Sequence, residues 1–424
     1  MILCSAGDIH GALDRMYAGV LAFEAALGVR FDWLLHVGDF GVWPDPERVD
    51  GATKRHDGAG DFPAWFAERR AAPRPTVFIK GNHEDFVWLD AQPSSEVLPG
   101  LHYLRNGHVH ELVAGLERLP GCAGVKLFMG SSTGSLLVGD DAALTEVMRH
   151  GRRRVAVHAE DEARLRERRH LAEAPLARVD AHPVWRDELS AQRATERCLR
   201  VARRFGRRVH ILHVSTAGEL DLLEEHRDLA TFEVTPQHLT LSAPGCYESL
   251  GTLAQMNPPI RDAQHREALW HAVRVGLVDV IGSDHAPHTR EEKARPYPAS
   301  PSGMPGVQTL LPVMLTHVHE GRLSLPRLVE LVASGPARVY GIARKGRIVV
   351  GADADLTFVD LERRQRLTHA MMRSACGWTP FDGMEVVGFP VATLLRGRIA
   401  MRDGELVGPP TGRVVAFEET LGSG

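Results

Sequence analysis

Lysine is almost absent from this chain. Only Lys54, Lys80, Lys126, Lys293 and Lys345 occur, so nearly all positive charge is arginine. This looks like a coding bias, and it singles out Lys126, set among Val125, Leu127 and Phe128, as more than surface filler. Cysteine is sparse too: Cys4, Cys122, Cys198, Cys246 and Cys376 are odd in number and form no Cys-x-x-Cys pair. That argues against a disulfide framework and favours a reduced, cytoplasmic setting. No run approaches the roughly 20 apolar residues of a membrane helix, and no basic start followed by an apolar stretch marks a secretory leader. A net charge of −4 gives no general case for nucleic acid or an anionic membrane as partner.

What is present is a long chain of ordinary globular composition. At 424 residues it exceeds one simple core, unless that core is a barrel with satellites. At the start, apolar runs at 2–6, 33–37 and 76–80 alternate with helical periodicity at 14–27 and 64–71, a βαβ pattern that implies a parallel sheet. Residues 101–112 read as a hairpin. A second series follows, with strands expected at 124–129, 154–158, 208–214, 231–235 and 278–282 and a shorter one near 254–257. Helices are expected between them at 143–150, 191–205 and 266–275. This is the pattern of a (β/α) barrel with its site at the strand C-terminal ends, although six strands fall short of eight. After about residue 342, short strands at 346–350, 354–360 and 391–401 with Gly turns suggest a small β-subdomain. Residues 291–305, rich in Pro, Ser and charge, should form a loop over the site.

Ligand-type residues follow the early strands: Gly7-Asp8-Ile9-His10-Gly11, Gly38-Asp39-Phe40-Gly41 and Gly81-Asn82-His83-Glu84. Asp8 and His10 can face one metal, Asp39 can bridge two, Asn82 is a neutral oxygen ligand, and His83 suits protonation of a leaving group. Together they suit two-metal phosphoester hydrolysis. Over about residues 1–112 these runs resemble the calcineurin-like metallophosphoesterases. The resemblance implies Asp8, His10, Asp39 and Asn82 as ligands of Mn²⁺ or Fe and His83 as the catalytic histidine. That family also closes its site with later histidines. Gly107-His108-Val109-His110 comes too soon after Asn82 to serve, so half of that fold is missing.

In the second series Lys126, His158, His213 and Asp284 each end an apolar strand. Two imidazoles and a carboxylate suit Zn²⁺. An ammonium beside them would repel a cation, a conflict that carboxylation of Lys126 by CO₂ would remove. Asp284 could then bind metal and accept a proton as general base. The runs Gly124-Val125-Lys126-Leu127-Phe128-Met129-Gly130, His158-Ala159-Glu160, Leu212-His213-Val214, Thr235-Pro236-Gln237-His238, Asn257-Pro258-Pro259-Ile260-Arg261 and Ser283-Asp284-His285-Ala286-Pro287-His288 resemble dihydroorotases of the amidohydrolase superfamily over about 114–424. Glu291-Glu292-Lys293, following the last run, strengthens that resemblance. It implies Lys126, His158, His213 and Asp284 around one or two zinc ions, with Asp284 as acid/base. It further implies substrate contacts from Asn257, His288, Ser302 and Gly303, and interconversion of L-dihydroorotate and N-carbamoyl-L-aspartate in pyrimidine biosynthesis. His238 reads equally well as structural.

Dihydroorotases also open with His-x-His-x-Arg, which is missing: Asp8-Ile9-His10-Gly11-Ala12 has Ala12 where the second histidine would stand. The expectation is thus an α/β chain in three parts. Residues 1–112 are a partial phosphoesterase-like segment, 113–341 an amidohydrolase (β/α)8-type barrel incomplete from its own strands, and 342–424 a β-subdomain. The leading function is a zinc cyclic amide hydrolase weakened by loss of the histidine pair. The alternatives are a phosphoesterase using the early motifs, or an inactive dihydroorotase-like subunit. A small-molecule substrate, a homo-oligomer and association with an aspartate transcarbamoylase complete the expectations.

Overall fold

The early apolar runs alternate with helical stripes, so they form strands of a parallel sheet that the helices cover. The computed structural model describes residues 3–6, 9, 11–37, 40–49, 60–79, 84–103, 117, 121–131 and 137–418. The chain falls into two units, Met1–His110 with Thr133–Val138, and Glu111–Ser132 with Gly139–Gly424.

The first unit holds β1 (Leu3–Ala6), β2 (Trp33–Val37), β3 (Thr76–Ile79), β4 (Glu96–Leu98) and β5 (Leu101–Tyr103) in the order β1-β2-β3-β5-β4. β1, β2, β3 and β5 run parallel, and β4 pairs antiparallel with β5. The helix Leu13–Leu27 buries Leu13, Met16, Tyr17 and Val20, an apolar stripe at helical spacing, and stops at left-handed Gly28. Tyr17 stacks on Trp65 of the helix Phe62–Glu68 at 5.3 Å, and its hydroxyl meets Thr76 Oγ1 at 2.7 Å. The hairpin expected at 101–112 differs: the observed one runs from β4 to β5 and turns at Pro99-Gly100, where Gly100 has φ +73°. A Pro-Gly pair is a strong turn signal. Residues 104–112 lie outside the described residues.

The second unit carries β6 (Val125–Phe128), β7 (Val155–His158), β8 (Val209–Ile211), β9 (Ala230–Val234) and β10 (Val280–Ile281), all parallel and in chain order. Helices Asp141–Arg149, Glu188–Phe205, Ala217–Glu224 and Ala263–Arg274 make the crossovers. Each starts where the sequence supplies a cap. Asp140, Asp187 and Asp262 accept the first free backbone N–H groups, and Thr216 with Glu219 forms a capping box. Glu188–Phe205 turns Ala191, Ala194, Cys198, Leu199 and Ala202 inward. This is an open parallel sheet of five strands with crossover helices, fewer than the eight of a closed barrel, among the described residues.

Two expected strands are absent. Residues 251–254 form a 3-10 turn, and the chain then runs irregularly into Pro258 and Pro259, which have no amide to donate to a ladder. Residues 346–350 stay irregular between Gly346 (φ +81°) and Gly351 (φ +90°). The tail instead forms β11 (Leu356–Arg366), β12 (Glu385–Leu395), β13 (Arg398–Arg402) and β14 (Glu405–Leu406), an antiparallel sheet in that order. β12 lies on the helix Leu310–His319, where a Cβ at Gly388 would come within 2.8 Å of Leu315 Cβ. No described helix is long and apolar enough to cross a membrane.

Candidate metal centre and substrate loop

Strand register puts two of the candidate ligands, Lys126 and His158, on one face. Lys126 pairs with Ala156 and Phe128 with His158, so the residues alternating with Val125 and Val155 point the same way. Ala156 pairs with His210, and His210 with Thr231, which places Glu233 on that face as well. His158 is the last residue of β7, and His213 follows β8 by two residues. Lys126 does not end its strand as expected. It sits two residues before the end of β6, because Leu127 and Phe128 continue the ladder. His213 and Asp284 adopt φ +39° and +40°, left-handed values uncommon for residues with a Cβ. Such local strain clusters at functional sites.

The two histidines converge. His158 Nδ1 lies 3.0 Å from His213 Nε2, with ring centroids 4.8 Å apart at 77°. His158 Nε2 meets Glu160 Oε2 at 3.0 Å, and Glu160 receives Arg186 Nε at 3.1 Å and its Nη2 more closely. All four side chains are buried. Burial opposes ionisation of Glu160, but Arg186 and His158 outweigh it and hold its carboxyl well below the usual range. Burial pushes His158 and His213 down, so both rings are neutral near pH 7. Because carboxylate Glu160 only accepts, His158 Nε2 carries the proton and Nδ1 presents its lone pair toward His213. Two neutral nitrogens facing one point suit a cation. Zinc takes imidazole nitrogen at about 2.0–2.1 Å, so two ligands at the tetrahedral angle stand about 3.3 Å apart.

Lys126 and Asp284 complete the cluster by charge. The Lys126 ammonium sits 4.6 Å from the Phe128 ring centroid. Lost hydration pushes its pKa down against the pull of Asp284 and Glu233, although the side chain retains solvent access. Asp284 is pushed up to about 6 by burial, then by the Glu233 charge, with Lys126 opposing. Glu233, which directly precedes Val234 and the Thr235-Pro236-Gln237-His238 run, belongs to this electrostatic set; it drew no site role from sequence because a strand glutamate carries no ligand spacing of its own.

The residues expected on the substrate side fall into two groups. Asn257 Oδ1 receives His182 Nε2 at 3.0 Å, so buried His182 orients it. His182 is lowered to about 3 by burial and by the Arg186 charge. His288 Nε2 bonds Ser302 O at 3.1 Å, and Ala286 N donates to Met304 O at 3.0 Å. That lays 284–288 beside 302–304. Gly303 has φ +146°, and a Cβ there would meet Ala286 O at 2.6 Å. His238 is structural: Nδ1 meets Thr235 Oγ1 at 2.8 Å, and Nε2 reaches the carbonyls of Pro258 and Pro259 at 3.2 and 3.3 Å. A further group, Glu188, Asp262 and His265, has ligand atoms within 4.8 Å of one another. His265 Nδ1 accepts from Ala217 N at 3.0 Å and Nε2 points to Glu188 at 3.0 Å, which makes it a hydrogen-bonded histidine.

The early motif residues Asp8, His10, Asp39, Asn82 and His83 lie outside the described residues, as do His108 and His110. Glu84, which closes the third motif, is described. Its buried carboxylate accepts from Phe40 N and Val42 N, both at 2.6 Å, tying the loop after β3 to the loop after β2.

Comparison with known proteins agrees with the second unit's geometry. The family model described as amidohydrolase family matches residues 141–400. One described as calcineurin-like phosphoesterase matches residues 4–209. The dihydroorotase of Halobacterium salinarum is 40% identical over 297 residues, covering 68% of this chain and 67% of its own. That of Methanosarcina mazei is 36% identical over 309 residues, covering 70% and 67%. The chain thus spans about two thirds of the length of these relatives. Among solved structures, L-hydantoinase (dihydropyrimidinase) from Arthrobacter aurescens aligns with TM-score 0.69 and 25% identity, over 96% of this chain and 83% of its own.

Proposed function

The chain belongs to the amidohydrolase family as a dihydroorotase-like cyclic amide hydrolase, and from that premise we propose that its second unit binds metal through His158 and His213 and acts on L-dihydroorotate and N-carbamoyl-L-aspartate. The observation that carries this reading is the convergence of His158 Nδ1 and His213 Nε2 at 3.0 Å beside Asp284 and Lys126. Zinc held there, by one or two ions, would supply Lewis acidity and ease deprotonation of water.

The chain's own groups do the rest. Asp284 takes a proton from attacking water and returns one to the leaving amide nitrogen, a role that suits a carboxyl raised to about 6. Glu160 and Arg186 hold His158 in one tautomer. The lowered pKa of Lys126 increases the neutral amine available to CO₂, which favours carboxylation. Asn257, His288, Ser302 and Gly303 contact the substrate. Domains divide at about 112 and 342, and the protein works in the cytoplasm as a homo-oligomer or beside an aspartate transcarbamoylase.

Without His-x-His, one pair of ligands is missing, so turnover should be weak. The test is formation of N-carbamoyl-L-aspartate from L-dihydroorotate with added zinc. A slow rate that disappears in His158→Ala supports the reading. A rate unaffected by His158→Ala overturns it, and a fast wild-type rate overturns the impairment.

The match to calcineurin-like phosphoesterases over 4–209 favours one second reading, metal-dependent phosphoester hydrolysis by Asp8, His10, Asp39, Asn82 and His83. Mn²⁺-dependent hydrolysis of bis-p-nitrophenyl phosphate that is lost in Asp39→Ala supports it. No hydrolysis with Mn²⁺ or Fe²⁺ ends it.

A further inference from the structure

Lys293 is a wholly buried lysine that the chemistry above does not use. We propose that Lys293 and Gln255 form a buried pin that positions the 300–303 loop, making both of them positioning residues for the cyclic amide substrate. The proposal rests on the cyclic-amide reading for what that loop binds, and on geometry for the pin itself.

Two segments that are distant in sequence meet at the Lys293 ammonium. Nζ donates to Gln255 O and to Pro301 O, each at 2.9 Å. The charge lies 5.9 Å from the Trp378 ring centroid, and Trp378 Nε1 in turn donates to His288 O at 2.7 Å. Gln255, itself buried, then holds the loop residue by residue. Its Nε2 donates to Ser300 O at 2.9 Å and to Ser302 Oγ at 3.1 Å. Its Oε1 accepts from Ser300 Oγ at 2.5 Å, and its backbone carbonyl accepts from Gly303 N at 2.9 Å. Ser300, Pro301, Ser302 and Gly303 are thus each bonded to one of these two residues, and Ser302 O also receives His288 Nε2 at 3.1 Å.

Filling space would not require an ammonium here. Burying one among carbonyls and an aromatic ring is costly, and methionine would fill a similar volume without that cost. Burial alone pushes Lys293 down to about 7, with no carboxylate countering it. What lysine adds is several donors at one point, able to join the Gln255 and Pro301 carbonyls.

The experiment uses the full zinc-loaded chain, with Lys293→Met and Ser300→Ala. Amide exchange at Gly303 and the calorimetric Kd for L-dihydroorotate are both measured. Lys293→Met should keep wild-type circular dichroism, speed Gly303 exchange about tenfold and raise Kd about tenfold, the equivalent of about 1.4 kcal/mol. Ser300→Ala should shift both the same way by a smaller factor, and it decides the matter if Lys293→Met does not fold. Unchanged Gly303 exchange overturns the pin. Faster exchange with unchanged Kd leaves only a structural staple and overturns the positioning role. If the wild type binds no dihydroorotate, the cyclic-amide reading fails and with it the positioning role, while exchange still decides the pin.

Discussion

His158 faces His213 across 3.0 Å through Nδ1, and it can do so because Glu160 occupies Nε2 at 3.0 Å. One carboxylate therefore selects the tautomer that makes the pair a donor set. The same carboxylate is the partner of buried Arg186, so metal affinity and fold stability are joined at Glu160.

Glu160→Gln keeps the shape and removes the charge. Outer partners of a metal histidine are typically worth 10–100-fold in affinity, so zinc binding should weaken by about that factor in chelator competition. The unpaired Arg186 should also cost about 3 kcal/mol, read from urea unfolding. Unaltered zinc affinity would show that His158 does not need Glu160 to bind.

His182 and His238 are buried, with values of about 3 and about 4 against an unfolded value near 6.5. The unfolded chain therefore binds protons first, and stability should fall as pH drops from about 6.5 toward 4. Proton NMR of the two rings should show no titration between pH 8 and 5. A midpoint near 6.5 for either ring would contradict the burial argument.

Much of the second unit was legible because its strands are apolar runs and three of its four crossover helices show helical periodicity; the short helix Ala217–Glu224 was not legible. The places of His158, His213 and Asp284 at or just past strand ends were legible too, since a His or Asp closing an apolar run is conspicuous. Arg186 was not, because arginine supplies almost all positive charge and one buried example looks like the exposed ones. Lys293 carries meaning in sequence only as the end of Glu291-Glu292-Lys293, and its bonds to Gln255 and Pro301 depend on a loop path that no periodicity encodes. No strand forms at 254–257 because Pro258 and Pro259, just beyond it, have no amide to extend a ladder.

Gly303 tests the loop from its backbone. Alanine there would keep φ +146° only under strain, and its Cβ would meet Ala286 O at 2.6 Å and Ala286 Cβ at 2.9 Å. The loop must shift, at a cost of about 2 kcal/mol. Gly303→Ala should lower the melting temperature and raise KM for dihydroorotate more than it lowers kcat. Equal KM in the variant would remove Gly303 from the substrate side.

In the first unit, Glu84 offers the corresponding test. Its carboxylate holds the N–H groups of Phe40 and Val42, each at 2.6 Å, in a buried setting. Glu84→Leu strands both donors, and each buried unsatisfied group costs about 1–3 kcal/mol. Amide exchange at Phe40 and Val42 should rise by at least about tenfold, with exchange at Ile211 and Phe232 of β8 and β9 unchanged if the two units unfold separately. Should bis-p-nitrophenyl phosphate hydrolysis exist, it should fall with that exchange, because Glu84 ties Phe40, the neighbour of Asp39, to the turn that follows Asn82 and His83. Protection that survives Glu84→Leu would mean the two loops are held by other contacts, and the phosphoesterase reading would then gain nothing from this glutamate.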